Sequence, residues 1–220
     1  MRRAIRLTDD AFAHFLAWVQ PGVTELQAAW EIEKYIREHG GEELSFPTIV
    51  GGGPNGAMPH HEAGERPLQA GEPIVIDMGA VVGGYHADMT RTIVLGQPDD
   101  RFWTIYSLVQ TAQERAEAGI RAGASGVEVD HLAREVIADA GYGDKFGHGL
   151  GHGVGLATHE PLRLSSLSTD TLPVGATVTV EPGIYLPEWG GVRIEDVVLV
   201  KEDGAEILTG STKEPIVKIG

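Results

Sequence analysis

Four carboxylates at two matching pairs of positions carry the strongest chemical signal in this sequence. Ile74-Val-Ile-Asp77 runs toward glycines at 83 and 84, and Asp88 follows them. Thr177-Val-Thr-Val-Glu181 runs toward Gly190 and Gly191, and Glu195 follows those. Each stretch reads as a strand turning back on itself. A turn centred on Val82-Gly83 sets Asp77 directly opposite Asp88, and a three-residue loop at Pro187 to Trp189 sets Glu181 opposite Glu195. Opposed side chains in an antiparallel pair have Cβ atoms only ~5 Å apart, and like charges there destabilise the sheet. Aspartate is also a poor strand residue. Two such pairs among apolar neighbours such as Ile76 and Val180 need compensation. A shared proton is one answer; a bound cation is simpler, because it favours all the charged forms together.

Histidines supply the second signal. Phe146 to Pro161 places His148, His152 and His159, three of the nine histidines, within twelve residues. Glycine recurs there too often for a helix, and the run lacks the glutamate of the His-Glu-x-x-His zinc helix. Glycines let the backbone approach a ligand closely. A further pair, His60-His61, follows Pro54-Asn-Gly-Ala-Met-Pro59 in an expected loop. Gly51 to Gly56 fits Gly-x-Gly-x-x-Gly, but Pro54 and Pro59 prevent the helix that a dinucleotide fingerprint must open.

The elements that position these residues occur twice. Leu7 to Val19, opened by Thr8-Asp9-Asp10, and Glu25 to His39 read as helices. Arg101 to Ile120, after Asp99-Asp100, and Val127 to Ala140 read the same way. Gly22 and Gly123, Thr24 and Ser125, Ile36 and Ile137, and Gly40 and Gly141 share one offset of 101. The strands match at offsets of 104 and 107. An internally duplicated helix-helix-hairpin unit follows, with an α+β fold and halves of roughly residues 1–97 and 98–220.

At 220 residues the chain fits one domain with a real core. Hydrophobic residues at 42% and charged residues at 22% suit a soluble globular protein rather than a disordered one. The absence of cysteine excludes disulfides, thiolate nucleophiles and zinc-thiolate sites. A formal net charge of -15 argues against nucleic acid as a partner. No stretch has the length to cross a bilayer, and no apolar segment follows the basic residues at the start, so a cytoplasmic location without membrane contact is expected.

Taken in order, Asp77-Met-Gly, Asp88-Met-Thr-Arg91-Thr, Gly151-His152-Gly-Val-Gly, Glu181-Pro-Gly183 and Arg193-Ile-Glu195-Asp196 resemble the motifs of the pita-bread metallopeptidases, and within them the Xaa-Pro aminopeptidase and prolidase branch. Methionine aminopeptidases usually carry Glu-Pro-Met where this chain has Glu181-Pro-Gly183. Creatinase lacks metal ligands that are all present here. The resemblance covers essentially the whole chain as one catalytic domain, 1–220, without the additional N-terminal domain of most relatives.

It implies two divalent cations, with Asp77 on one, His152 and Glu181 on the other, and Asp88 and Glu195 bridging them. Manganese suits this oxygen-rich set, with cobalt, iron or zinc as alternatives. A metal-bridging hydroxide is implied as nucleophile, with Glu181 relaying its proton. His60, His148 and His159 match histidines that line the substrate, and Tyr85 and Arg193 match positions behind the ligands. The implied substrate is a peptide with proline second. Proline lacks an amide hydrogen and fixes φ, so peptidases that grip the backbone N–H bind it poorly. Relatives of this kind are often homodimers. Two other readings are a hydrolase of another substrate, methionine aminopeptidase-like or acting on a small amide, and a metal-binding relative without catalysis.

Overall fold

The computed structural model describes residues 1–219. The first half contains α1 (Arg2–Trp18), α2 (Glu25–Glu38), β1 (Glu43–Leu44), β2 (Ile49–Gly52), β3 (Pro73–Met78), β4 (Ala80–Val82), β5 (Tyr85–His86) and β6 (Met89–Leu95). The second contains α3 (Asp100–Gly119), α4 (Gly126–Asp139), β7 (Gly151–Gly153), β8 (Glu160–Leu164), β9 (Thr177–Val180), β10 (Gly183–Leu186), β11 (Gly190–Arg193), β12 (Asp196–Lys201) and β13 (Gly204–Ile207), and β14 (Ile216–Val217) follows. One sheet has the order β14-β6-β3-β2 and the other β13-β12-β9-β7-β8. Two small sheets, β1-β4-β5 and β10-β11, extend the hairpins.

The duplication is physical. Helix α2 buries Ala28, Ile32 and Ile36, and α4 buries Val129, Ala133 and Ile137 at the same spacing of four. A capping box opens each, Thr24 with Gln27 and Ser125 with Glu128. Gly40 and Gly141 end them in left-handed backbone, φ 95° and 85°. The turn before each helix is pinned alike: the Gly22 amide donates to the Leu68 carbonyl, and the Gly123 amide to that of Leu172.

Each sheet packs on its own helices. Phe12, Phe15 and Ile32 meet Ile74, Ile76 and Ile93 in one core. Phe102, Ile105 and Val109 meet Val178, Val180 and Val198 in the other. Full burial of each such side chain contributes about 1.5–3 kcal/mol. Arg91 fastens the halves together. Buried on β6, it donates to the Glu195 carbonyl and the Asp196 carboxylate of the second half, and to the carbonyls of Ser211 and Thr212.

Two expectations need correction. Helix α1 begins at Arg2, so Thr8, Asp9 and Asp10 lie inside it. Thr8 and Asp9 hold other segments: Thr8 Oγ1 donates to Ala4 O and accepts from the Ala80 amide, and Asp9 accepts from Gly210 and Ser211. Asp77 also stands opposite Thr90, not Asp88. The turn is centred on Gly83-Gly84, both at positive φ (63° and 74°), so Val82 pairs with Tyr85 and the register moves by two residues. Asp88 keeps the expected face but lies diagonal to Asp77. In the second hairpin the expected loop is found, and Leu186 pairs with Gly190. Val180 opposite Asp196 and Gly183 opposite Arg193 share one register, which sets Glu181 level with Glu195.

Candidate metal centre

All five expected ligands line one cleft of about 860 Å³. Asp77 comes from β3, Asp88 from the link into β6, His152 from β7, Glu181 from the end of β9 and Glu195 from the link into β12. Oxygen or nitrogen atoms of Asp88, His152 and Glu195 lie within 4.8 Å of one another. His152 Nε2 stands 3.6 Å from Asp88 Oδ2 and 3.4 Å from Glu181 Oε1. Glycine makes this approach feasible: a Cβ on Gly151 would collide with the Thr179 carbonyl.

The imidazole is set up to ligate. His152 Nδ1 donates to the Gly153 carbonyl at 2.9 Å, which leaves the Nε2 lone pair facing the carboxylates. Burial holds its pKa down at about 4, so the ring is neutral. The carboxylates shift the other way. Burial, then the neighbouring carboxylates, raise Asp88 and Glu195 well above the usual range. Burial pushes Glu181 up to about 8, and it raises Asp77 despite Arg193.

Arg193 Nη2 donates to Asp77 Oδ2 at 2.7 Å, and Thr90 Oγ1 donates to Glu195 Oε2 at 2.6 Å. Among the described residues Asp77 Oδ1 is buried without a partner. One guanidinium does not balance four crowded carboxylates, and their mutual repulsion and burial disfavour the charged forms until more positive charge enters. Hard oxygen donors, one neutral imidazole and an orphaned carboxylate oxygen together fit divalent cations.

The histidines divide into two kinds. His60 and His159 are exposed in the cleft, and the His159 ring lies 4.3 Å from that of His152. His148 also lines the cleft, but both its ring nitrogens are engaged. Nδ1 donates to Gly149 O, and Nε2 accepts from the Tyr185 hydroxyl at 2.8 Å. Burial lowers its pKa to about 4, so it is poorly placed to donate to a substrate.

Tyr85 does not meet its expectation. It is exposed in β5, outside the residues lining the cleft. The tyrosine behind the ligands is Tyr185, which accepts from Arg193 Nη1 at 3.0 Å while donating to His148. Period-two spacing in the strand places Glu181, Gly183 and Tyr185 on one face, a signal available from the sequence alone.

The Metallopeptidase family M24 model matches residues 1–202. Xaa-Pro dipeptidase of Pyrococcus furiosus is 41% identical over 214 residues, 97% of this chain and 62% of that protein. A solved Xaa-Pro dipeptidase from Bacillus anthracis is 43% identical with a TM-score of 0.96, covering 99% of this chain and 61% of its own. An X-Pro aminopeptidase structure from Thermotoga maritima gives 41% and 0.96, covering 99% and 62%. The chain thus spans about three fifths of the length of these relatives. Their architecture is the expected pita-bread α+β fold, and this chain shares it. The chain belongs to metallopeptidase family M24.

Proposed function

We propose that the chain is the catalytic domain of a metal-dependent peptidase that hydrolyses the bond between an N-terminal residue and proline. The observation that carries this reading is the meeting of Asp88, His152 and Glu195 in the cleft that also exposes His60 and His159. Similarity to proteins named Xaa-Pro dipeptidase and X-Pro aminopeptidase supports the substrate.

In this reading Asp77, Asp88, His152, Glu181 and Glu195 hold two divalent cations. Asp77 would serve one, His152 and Glu181 the other, and Asp88 and Glu195 both. Manganese is preferred on donor hardness, with cobalt, iron or zinc as substitutes. When bound, the cations supply Lewis acidity toward the scissile carbonyl and lower the pKa of water.

The chain's own groups do the rest. Water adds to the carbonyl carbon, the C–N bond breaks, and the prolyl nitrogen gains a proton as it leaves. Glu181 takes that proton from the water and delivers it to the nitrogen. His159 and His60 donate to the carbonyl oxygen as negative charge develops there. Tyr185 orients His148, which burial keeps neutral, and Arg193 holds Asp77 in place. A homodimer and a cytoplasmic location complete the proposal.

Release of proline from a Xaa-Pro dipeptide and a Xaa-Pro-Yaa tripeptide, with manganese and after chelation, tests it. Manganese-dependent release is expected, and the preferred length separates dipeptidase from aminopeptidase. No release of proline by protein holding two metals per chain would overturn the substrate assignment.

A further inference from the structure

Glu25, the first residue of α2, is fully buried, yet among the described residues its carboxylate hydrogen-bonds to none of the five proposed ligands. Its carboxylate collects four donors from a single loop. Oε1 accepts from the Gly52 amide and from Asn55 Nδ2, both at 2.9 Å. Oε2 accepts from His61 Nε2 at 2.8 Å and from the Gly64 amide at 3.2 Å. These contacts bracket His60, which lines the cleft. Among the described residues the His60 side chain makes no hydrogen bond, so its place is set by the backbone on either side. The Pro59 carbonyl, which accepts from Arg193 Nη1 at 3.4 Å, ties the same loop to the centre.

The fold of the repeating unit does not require this carboxylate. Gly126 occupies the equivalent position in α4, where a Cβ would collide with the Arg163 carbonyl. The backbone bonds are nevertheless common to both halves: the Glu25 amide donates to Arg66 O at 3.0 Å, and the Gly126 amide to Asp170 O at 2.9 Å. The helix start is therefore built without a side chain in one half and with a buried charge in the other. Burying a carboxylate is unfavourable unless it is hydrogen-bonded throughout, and here every bond leads to the histidine loop or its stems.

We propose that Glu25 is a positioning residue that acts through the 52–64 loop to set where His60 stands in the cleft. The role rests on the hydrolase reading, in which His60 faces the substrate. Glutamine at this position keeps an acceptor for Gly52 and Asn55 but turns an amide donor toward His61 and Gly64, so the loop moves while most of the side-chain volume stays. Displacing a group by ~1 Å can lower turnover on the order of 100-fold.

The experiment combines Glu25→Gln with His60→Ala in the metal-loaded protein. Glu25→Gln alone is expected to lower kcat about 10- to 100-fold with metal content unchanged. Added to His60→Ala, it is expected to lower kcat no further. Asn55→Ala, which removes one of the four donors and spares the fold should Glu25→Gln unfold, is expected to give a smaller loss of the same non-additive kind. Losses that multiply, or an unchanged kcat in Glu25→Gln and Asn55→Ala, overturn the proposal. Ring 15N NMR signals of the histidines separate this result from failure of the hydrolase reading. If the wild type releases no proline, movement of the His60 signals in Glu25→Gln with those of His159 fixed still supports the positioning role. Unmoved His60 signals overturn it.

Discussion

The two halves share a backbone and divide the chemistry unequally. Capping boxes, left-handed glycines and turn hydrogen bonds recur at matching places. The first half contributes two of the proposed ligands, Asp77 and Asp88. The second contributes His152, Glu181 and Glu195, with Arg193 beside them. Each half also holds a histidine loop with a buried carboxylate, but from a different position. Glu25 holds the loop around His60. In α4 the corresponding anchor is Asp130, which accepts from Arg134 and from the Leu150 amide. Arg134 in turn donates to the carbonyls of Phe146 and His148. Backbone geometry depends on a few caps and glycines, so it persists in both halves while side chains at equivalent sites diverge.

The largest expected effect tests whether the halves are equal partners in the centre. Asp88→Ala and Glu195→Ala remove one proposed bridge from each. Each is expected to lower kcat/KM by about 10³-fold or more, the loss of several kcal/mol of charge stabilisation. Elemental analysis should find fewer than two divalent ions per chain in both. Full metal content in either variant would break the equivalence and return that carboxylate to a structural role.

A smaller effect separates the shared centre from the charges behind it. In chelated protein Glu181 titrates at about 8 rather than at 4.5, and Asp88 and Glu195 are raised too. The folded state then binds more protons than the unfolded chain, so the contribution to stability is fully present below pH ~4.5 and is lost as pH rises through about 8. Glu117 lies outside the centre near Asp196 and Lys213; burial raises it to about 8, and it acts with the same sign. Urea melts at pH 5 and pH 8.5 should show a steep loss in chelated protein and a shallower one after manganese loading. Equal slopes would assign the pH dependence to groups outside the centre, Glu117 among them.

The smallest effect sharpens the comparison at its most symmetric point. Thr24→Ala and Ser125→Ala are each expected to cost about 1 kcal/mol, measured by denaturant unfolding. A cost confined to one helix would show that its capping box is redundant with tertiary packing.

Much of this was readable from the residues. The repeat of glycine, cap and apolar positions locates α2 to α4 within a residue or two, and the spaced acids select four carboxylates that line the cleft. Register failed in the first hairpin because Gly83-Gly84 accepts positive φ at both central positions, and Val82-Gly83 does not. Helix α1 was entered late because Thr8 and Asp9 are cap-type residues whose partners, Ala80 and Gly210, lie far along the chain. Glu25 is invisible for a related reason. An acid in the first turn of a helix reads as a favourable surface charge, and only the folded loop shows that it is buried. Tyr185 is recoverable by strand alternation, whereas Tyr85 rested on the family resemblance alone.

The reach of Arg91 has a consequence in time. Thr90 and Arg91 of one sheet bind Glu195 and Asp196 of the other, and β14 pairs in parallel with β6, joining Ile216 to Val94. The helix pairs need only neighbours in sequence and form early; contacts across a hundred residues come late. During synthesis Asp77 and Asp88 are made well before Arg193 and Glu195, so the acid-rich face of the first sheet waits without its counter-charge. On the proposed function, a metal would therefore be captured late in folding, and its binding would report that the whole chain has closed.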